Sequence, residues 1–403
     1  MRRLRYVPLL VLCGLSGCGE DPGPLVAEPP TGFITQRRHA YTVIRQRWSE
    51  PPAPPGGTFS VGPDHLLKDG EPFRIRGVVY VPGYPGHLPW DTEIAADLPE
   101  KLRNSIDRDL EQIAEMGANT VRLWGAPRYA YEAIARLGTL HFIQTLWIDP
   151  EAGDLHDPAF KASTRAYIRT VVDRIQSVFP GGSAPLVAYL VGNELSARTI
   201  LATDAAHPAL DRYEGSHVRT GAGLSPSEVF LAEMADYVKG YEEERYGVTH
   251  LVSYANQIYT ADLIDTPFLD FRSHNVYPYD IPYVRPGTSA GSVTGTLLQG
   301  WVEELKARHP GVPLLVTETG LSVSPNAPHR GPPDYGYGGN TETEQAAGLL
   351  QALEDAATAR GPSAGVVVHE FLDAWWKFGL EDSFTQDPDD VEEWFGLIRL
   401  VGY

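Results

Sequence analysis

The chain has 403 residues, 42% of them hydrophobic, which is material for one large globular domain or two small ones. Its formal net charge of −19 makes a surface that repels phosphate backbones and argues against nucleic acid as a partner. Only two cysteines occur, Cys13 and Cys18, so disulfides, thiol catalysis and cysteine-ligated zinc are excluded downstream of residue 18.

In chain order, residues 1–17 read as a lipoprotein signal peptide. Met1 to Arg5 supplies a basic start, Val7 to Leu12 a short apolar run, and Leu15-Ser16-Gly17-Cys18 a small-residue cleavage site. The pattern resembles a bacterial lipoprotein signal, which makes Cys18 the lipidated residue; an ordinary secretory signal is the alternative. The expected location is the cell envelope, outside the cytoplasm, with a lipid anchor in the outer membrane or at the cell surface. Residues 18–57 are rich in proline and glycine and read as a tether, within which the apolar and aromatic stretch Phe33 to Trp48 is expected to dock on the domain surface.

From residue 58 to 403, short apolar runs alternate with amphipathic stretches, the pattern of a parallel sheet with crossover helices. Eight strands are expected: Phe73 to Tyr80, Thr120 to Trp124, Leu140 to Trp147, Leu186 to Val191, Leu251 to Ala255, Phe271 to Asn275, Pro313 to Thr317 and Gly365 to Phe371. Helices are expected over Leu102 to Met116, Phe160 to Phe179, Pro226 to Arg245, Leu297 to Ala307 and Thr341 to Thr358. Eight such units predict an α/β fold, a (β/α)₈ TIM barrel, preceded by a hairpin over His65 to Pro72 with an Asp-Gly turn.

A barrel of this kind carries its active site at the C-terminal strand ends. Strand two ends in Arg122 and Trp124, strand three in Trp147 and Asp149, and strand four in Asn193-Glu194. Strand five offers Tyr254 and Asn256, strand six His274 to Tyr277, strand seven Glu318, and strand eight His369, Glu370, Asp373, Trp375 and Trp376. Two glutamates on two strand ends can flank a glycosidic bond, one protonating the leaving oxygen while the other attacks the anomeric carbon.

The Asn193-Glu194 pair, Glu318, Arg122, the His274-x-x-Tyr277 segment and the tryptophans after strand eight together resemble clan A glycoside hydrolases over about Phe73 to Leu400. Ile75-Arg76-Gly77-Val78 with Tyr80 and Pro82 looks like strand one of cellulase-like and β-glucanosyltransferase-like members. The resemblance implies a retaining enzyme with Glu194 as acid/base and Glu318 as nucleophile, the carboxyls about 5 Å apart against roughly 6.5 Å or more for inversion. It also implies that Arg122 and Tyr277 keep Glu318 ionised and that Asn193 bonds the sugar 2-hydroxyl. His274 would orient Glu194 or bind a hydroxyl, while Trp124, Trp147 and one of the adjacent Trp375 and Trp376 stack on pyranose rings.

Asp149, Glu370 and Asp373 are further rim carboxylates with structural or hydroxyl-binding roles open. Neither His-x-His after strand one nor His-Glu-x-x-His occurs, so no metal or cofactor is expected. The loops Ser196 to Ser225 and Ser322 to Asn340 are expected to shape the cleft. The expected function is cleavage of β-linked poly- or oligosaccharide by a monomer. The alternatives are a transglycosylase using the same site, a catalytically silent carbohydrate-binding surface lipoprotein, and a metal-dependent barrel hydrolase.

Overall fold

The computed structural model describes residues 32–49, 56–94, 97–279, 292–333, 335–377 and 384–401. Eight parallel strands close into a barrel in chain order: β1 (Ile75–Val79), β2 (Thr120–Leu123), β3 (His141–Leu146), β4 (Leu186–Asn193), β5 (Leu251–Gln257), β6 (Arg272–Asn275), β7 (Leu314–Thr319) and β8 (Ser363–Val368). The seam closes where β8 pairs with β1, Gly365 facing Ile75 and Val368 facing Val78. Every residue of β2, β3, β4, β6 and β7 is buried. This is why the strands read as continuous apolar runs: both sheet faces are covered.

Six outer helices complete most of the units: α1 (Glu100–Glu115), α2 (Arg128–Leu137), α3 (Pro158–Val178), α4 (Pro226–Tyr246), α5 (Leu297–Arg308) and α6 (Glu342–Thr358). In α1, Leu102, Ile106, Leu110 and Ile113 recur at helical spacing and are buried against the barrel. Capping boxes start α4 at Ser225 with Glu228 and α6 at Thr341 with Glu344, which places their boundaries where hydroxyl and carboxylate satisfy the first amides. The helices α2, Ala197–Ala206 and His39–Arg47 were not among those expected from the sequence.

The stretch read as a tether holds a structural part of the barrel. Helix His39–Arg47 lies between α6 and α1, where an eighth outer helix would stand. Its Arg47 reaches Glu354 of α6 at 2.9 Å, and Tyr41 donates to the Gln112 carbonyl of α1 at 2.8 Å. Ala40, Tyr41 and Ile44 are buried by it. Just ahead of it, Thr35–Arg37 pairs antiparallel with Ile398–Leu400 from the chain's other end. Cys18 and the rest of the expected signal peptide lie outside the described residues.

At the N-terminal mouth, Phe59–Val61, Leu66–Lys68 and Glu71–Phe73 form a small antiparallel sheet. Asp69 (φ 52°) and Gly70 (φ 85°) make the two-residue turn with both φ positive that a twisted hairpin needs. Phe59 and Phe73 meet the ring of His141, at the start of β3, edge-on at 5.4 and 5.2 Å. With this end plugged, access is from the opposite face.

Candidate active site

The C-terminal face opens into a cleft of about 1070 Å³, above the ~300–1,000 Å³ typical of single small-ligand pockets. Glu194, Asn193, Glu318 and Tyr277 line it. Aromatic rings flank them: Trp90, Trp124, Trp147, Tyr167 and Trp376 come from the side of β1 to β3 and the β8 loop, with Tyr259, Tyr279 and Tyr337 facing them. Trp90, Trp147, Tyr259 and Tyr337 are among the large apolar side chains left exposed on this molecule. Exposed rings gathered at one cleft are favourable where a ligand covers them.

Glu194 follows β4 in a left-handed conformation, φ 49°, which a non-glycine residue adopts only under constraint. Two contacts from β5 impose it. The Glu194 amide donates to the Ala255 carbonyl at 2.9 Å, and the next amide, Leu195, donates to the Tyr254 hydroxyl at 2.8 Å. Enclosure by protein, then the nearby Glu318 carboxylate, push the Glu194 carboxyl up to about 8, against the Asn275 amide that donates to its Oε1 at 2.7 Å. Both effects favour the neutral form of the Glu194 carboxyl.

Glu318, on β7, sits among donors. Arg122 Nη1 lies 2.6 Å from its Oε1, and the Tyr277 hydroxyl donates to its Oε2 at 2.6 Å. Burial, then Glu318 itself, hold the Tyr277 phenol well above its ordinary value, so it stays a donor. The guanidinium and the phenol together grip both carboxylate oxygens and fix the side chain from two sides.

Arg122 meets Glu318, the partner expected of it, and does so from outside the cleft lining rather than as part of the cleft surface. Its guanidinium is fully buried and committed: Nη1 to Glu318 and the Thr317 carbonyl, Nη2 to Asn193 Oδ1 at 2.7 Å, Nε to Thr145 at 3.1 Å. It ties β2 to β3, β4 and β7 from beneath the floor, and so positions both Glu318 and Asn193.

The expectation for His274 is corrected. Arg272 on the same short strand reaches outward to Asp265 and the Leu305 carbonyl, and His274, two residues on, shares that outer face. It is buried behind the barrel wall, and burial, then Arg272, keep its ring neutral. The inward positions of β6 are Ser273 and Asn275, and Asn275 is the residue that reaches Glu194. Alternation along the strand was the signal that identifies it.

Trp124, Trp147 and Trp376 line the cleft, while Trp375 packs against the main core. Asp373 is no rim carboxylate: Arg38 grips both its oxygens at 2.5 and 2.8 Å, and both side chains are buried. Asp149 is exposed, outside the cleft lining, and caps the Glu151 amide at 2.9 Å. The insertion Ser196 to Ser225 turns away from the cleft, because Thr203 and His207 bond the Gly153-Asp154 turn and Asp236 holds His217 and Val218. From Ser322 to Asn340, Tyr337 alone among the described residues reaches the lining.

Sequence reading missed His369, Lys377 and Glu392 as one cleft-lining group. They come from the long segment after β8, whose path no local pattern encodes. Among the described residues, no cluster of three histidines, cysteines or carboxylates has metal-holding geometry.

No family model matches this chain, and no curated protein sequence does. Solved structures do. A β-glucuronidase from Ruminococcus gnavus, in complex with C6-substituted uronic isofagomine, aligns at TM-score 0.53 and 14% identity, covering 84% of this chain and 49% of that one. A β-glucuronidase from an uncultured Clostridium sp. aligns at TM-score 0.53 and 16% identity, covering 80% and 48%. Bacteroides uniformis β-glucuronidase 2, covalently bound to cyclophellitol-6-carboxylate aziridine, aligns at TM-score 0.52 and 17% identity, covering 81% and 33%. The chain thus spans a third to a half of the length of these enzymes, and at such identities the likeness is one of fold, a (β/α)₈ barrel.

Proposed function

We propose that this protein is a retaining glycoside hydrolase that cleaves β-linked poly- or oligosaccharides, with Glu194 as acid/base and Glu318 as nucleophile. The observation that carries the reading is the inequality of two carboxylates at one rim. Glu194 is enclosed and pushed up to about 8 beside a second carboxylate, whereas Glu318 accepts from a guanidinium and a phenol. Environments that drive two carboxyls apart are what separates a proton donor from a nucleophile.

In the forward step, Glu318 attacks the anomeric carbon as Glu194 gives its proton to the departing glycosidic oxygen. The covalent glycosyl-enzyme removes the charge from Glu318. Glu194, now ionised, takes a proton from water, which attacks the same carbon and restores the configuration. Arg122 and Tyr277 hold Glu318 in place throughout, and Asn193, locked by Arg122, presents its amide at the cleft floor. One barrel neighbour is covalently bound to cyclophellitol-6-carboxylate aziridine, which supports a covalent step on a barrel of this fold.

The test is a panel of β-glucan, mannan and galactan with the product anomer followed by NMR. The first-formed product should retain the β configuration, and Glu318→Gln should abolish turnover while leaving the fold intact by circular dichroism. An inverted product, or an unchanged rate in that variant, would refute the assignment.

A further inference from the structure

Beside Glu318, four side chains from the segment after β8 form one connected group. Lys377 Nζ lies 2.9 Å from Glu370 Oε1, 3.1 Å from His369 Nε2 and 3.4 Å from Glu392 Oε2. An ammonium can only donate, so His369 Nε2 accepts and the neutral ring carries its proton on Nδ1. That nitrogen lies 3.8 Å from Glu318 Oε2 and has no hydrogen-bond partner, although His369 is only 2% exposed. The ring is clamped, stacked on Trp124 at 5.5 Å and met edge-on by Phe395 at 5.2 Å and Tyr277 at 6.2 Å. A buried donor at a cleft wall without a partner is a contact that a ligand completes.

We infer that His369, Lys377, Glu370 and Glu392 form the recognition site for the sugar bound at Glu318, and that this site takes an uncharged, hydroxyl-bearing sugar and rejects a uronate. The inference rests on the glycosidase reading above and names its substrate class. His369 Nδ1–H supplies a donor for a ring hydroxyl beside the nucleophile. Glu392 lines the cleft and is oriented by the Tyr337 hydroxyl, which leaves it acceptor capacity for hydroxyl protons.

A uronate would need a cation to offset its desolvation. Among the described residues lining the cleft, four are glutamates, Glu93, Glu194, Glu318 and Glu392, with Glu194 favoured in its neutral form, and Lys377 is the single lysine or arginine. Lys377 already answers to Glu370 and Glu392. Arg122 lies buried beneath, held by Glu318 and Asn193. A sugar carboxylate at Lys377 would therefore face Glu392 and Glu318 at close range, and the net charge of −19 opposes its approach from solution. Two of the barrel neighbours, by contrast, are bound to a uronic or a 6-carboxylate compound.

The experiment compares kcat/KM for 4-nitrophenyl β-glucoside, β-galactoside, β-mannoside and β-glucuronide, and measures binding of the same compounds to the Glu318→Gln protein by calorimetry. The best neutral glycoside should exceed the glucuronide by roughly 10²-fold or more, and the binding order should agree. Glu392→Gln, a conservative change at a partly exposed carboxylate, should raise KM for the neutral sugar and narrow the gap to the glucuronide. A glucuronide cleaved or bound as well as any neutral sugar, or no sugar bound at all, overturns the inference. Cleavage of the glucuronide with retention would do so while leaving the glycosidase reading intact. Conversely, selective binding of a neutral sugar with no glycoside cleaved by the native protein would remove that reading and leave the recognition site.

Discussion

The acid/base role proposed for Glu194 rests on backbone as much as on side chain. The left-handed turn at φ 49° lifts the chain out of β4 so that the carboxyl enters the cleft, where burial and Glu318 favour its neutral form. The consequence for activity has a definite sign. The donor is protonated below its folded-state value, so kcat/KM should fall as pH rises through about 8, and this alkaline limb should vanish in Glu194→Gln, whose residual rate should be roughly 10²–10⁴-fold lower. A pH profile of kcat/KM on both proteins checks it.

Stability carries the same sign. An unfolded glutamate titrates near 4.5 and the folded one near 8, so between these values the native state binds more protons and stability declines as pH rises. Glu194→Gln removes that penalty and should gain on the order of 2–3 kcal/mol at pH 8, allowing for water in the cleft, and little at pH 4, read from thermal unfolding at both pH values. At this scale the sequence was legible wherever strand alternation applies. It paired Trp375 with Trp376 on opposite sides, and Trp376 is the one in the cleft. Alternation over the four residues of β6 turns Ser273 and Asn275 inward and leaves His274 on the outer face, against the expectation that His274 reaches the site.

Among elements, the N-terminal helix changes how the barrel is understood. Nothing in its sequence announces a barrel helix, since prolines precede and follow it and its partners, α1, α6 and the last strand, are distant in sequence. It is held by a buried pair, Arg38 Nη1 and Nη2 on the two oxygens of Asp373 at 2.5 and 2.8 Å, with Arg38 also donating to the Gly396 carbonyl at 2.6 Å. Its exit is equally tight: a Cβ at Gly117, φ 90°, would come within 1.9 Å of the Trp48 carbonyl oxygen. Removing one partner of a buried pair strands a charge, so Arg38→Met should cost about 3–5 kcal/mol, most of it recovered by adding Asp373→Leu. Thermal unfolding of the two variants is the measurement. Because Asp373 lies in the segment between Glu370 and Lys377, loosening it should also raise KM.

Over the whole molecule, the strand and helix alternation specified a barrel, and the plugged N-terminal mouth left one face for chemistry. The acidic surface acts at this scale too, keeping polyanions away from the cleft. Location remains a proposal from residues 1–18: Cys18 carries a lipid that holds the enzyme at the cell envelope, against polysaccharide outside the cytoplasm. Cys18→Ser should move the protein from the membrane fraction to the soluble fraction while leaving kcat unchanged, as fractionation with an activity assay would show. No helix among the described residues is long and apolar enough to cross a membrane.

The sequence by itself determined the barrel and the strand ends bearing Glu194 and Glu318. Those properties follow from burial of both sheet faces and from the position of a residue along a strand, and both are local. Only the tertiary structure decided that Arg122 lies beneath the floor, that Asn275 takes the place expected of His274, and that the helix His39–Arg47 joins the outer ring between α6 and α1. It alone brought His369, Lys377, Glu370 and Glu392 together beside the nucleophile. Each of these is a contact between segments far apart in the chain, set by how packed elements meet in space, and no periodicity within a segment records it.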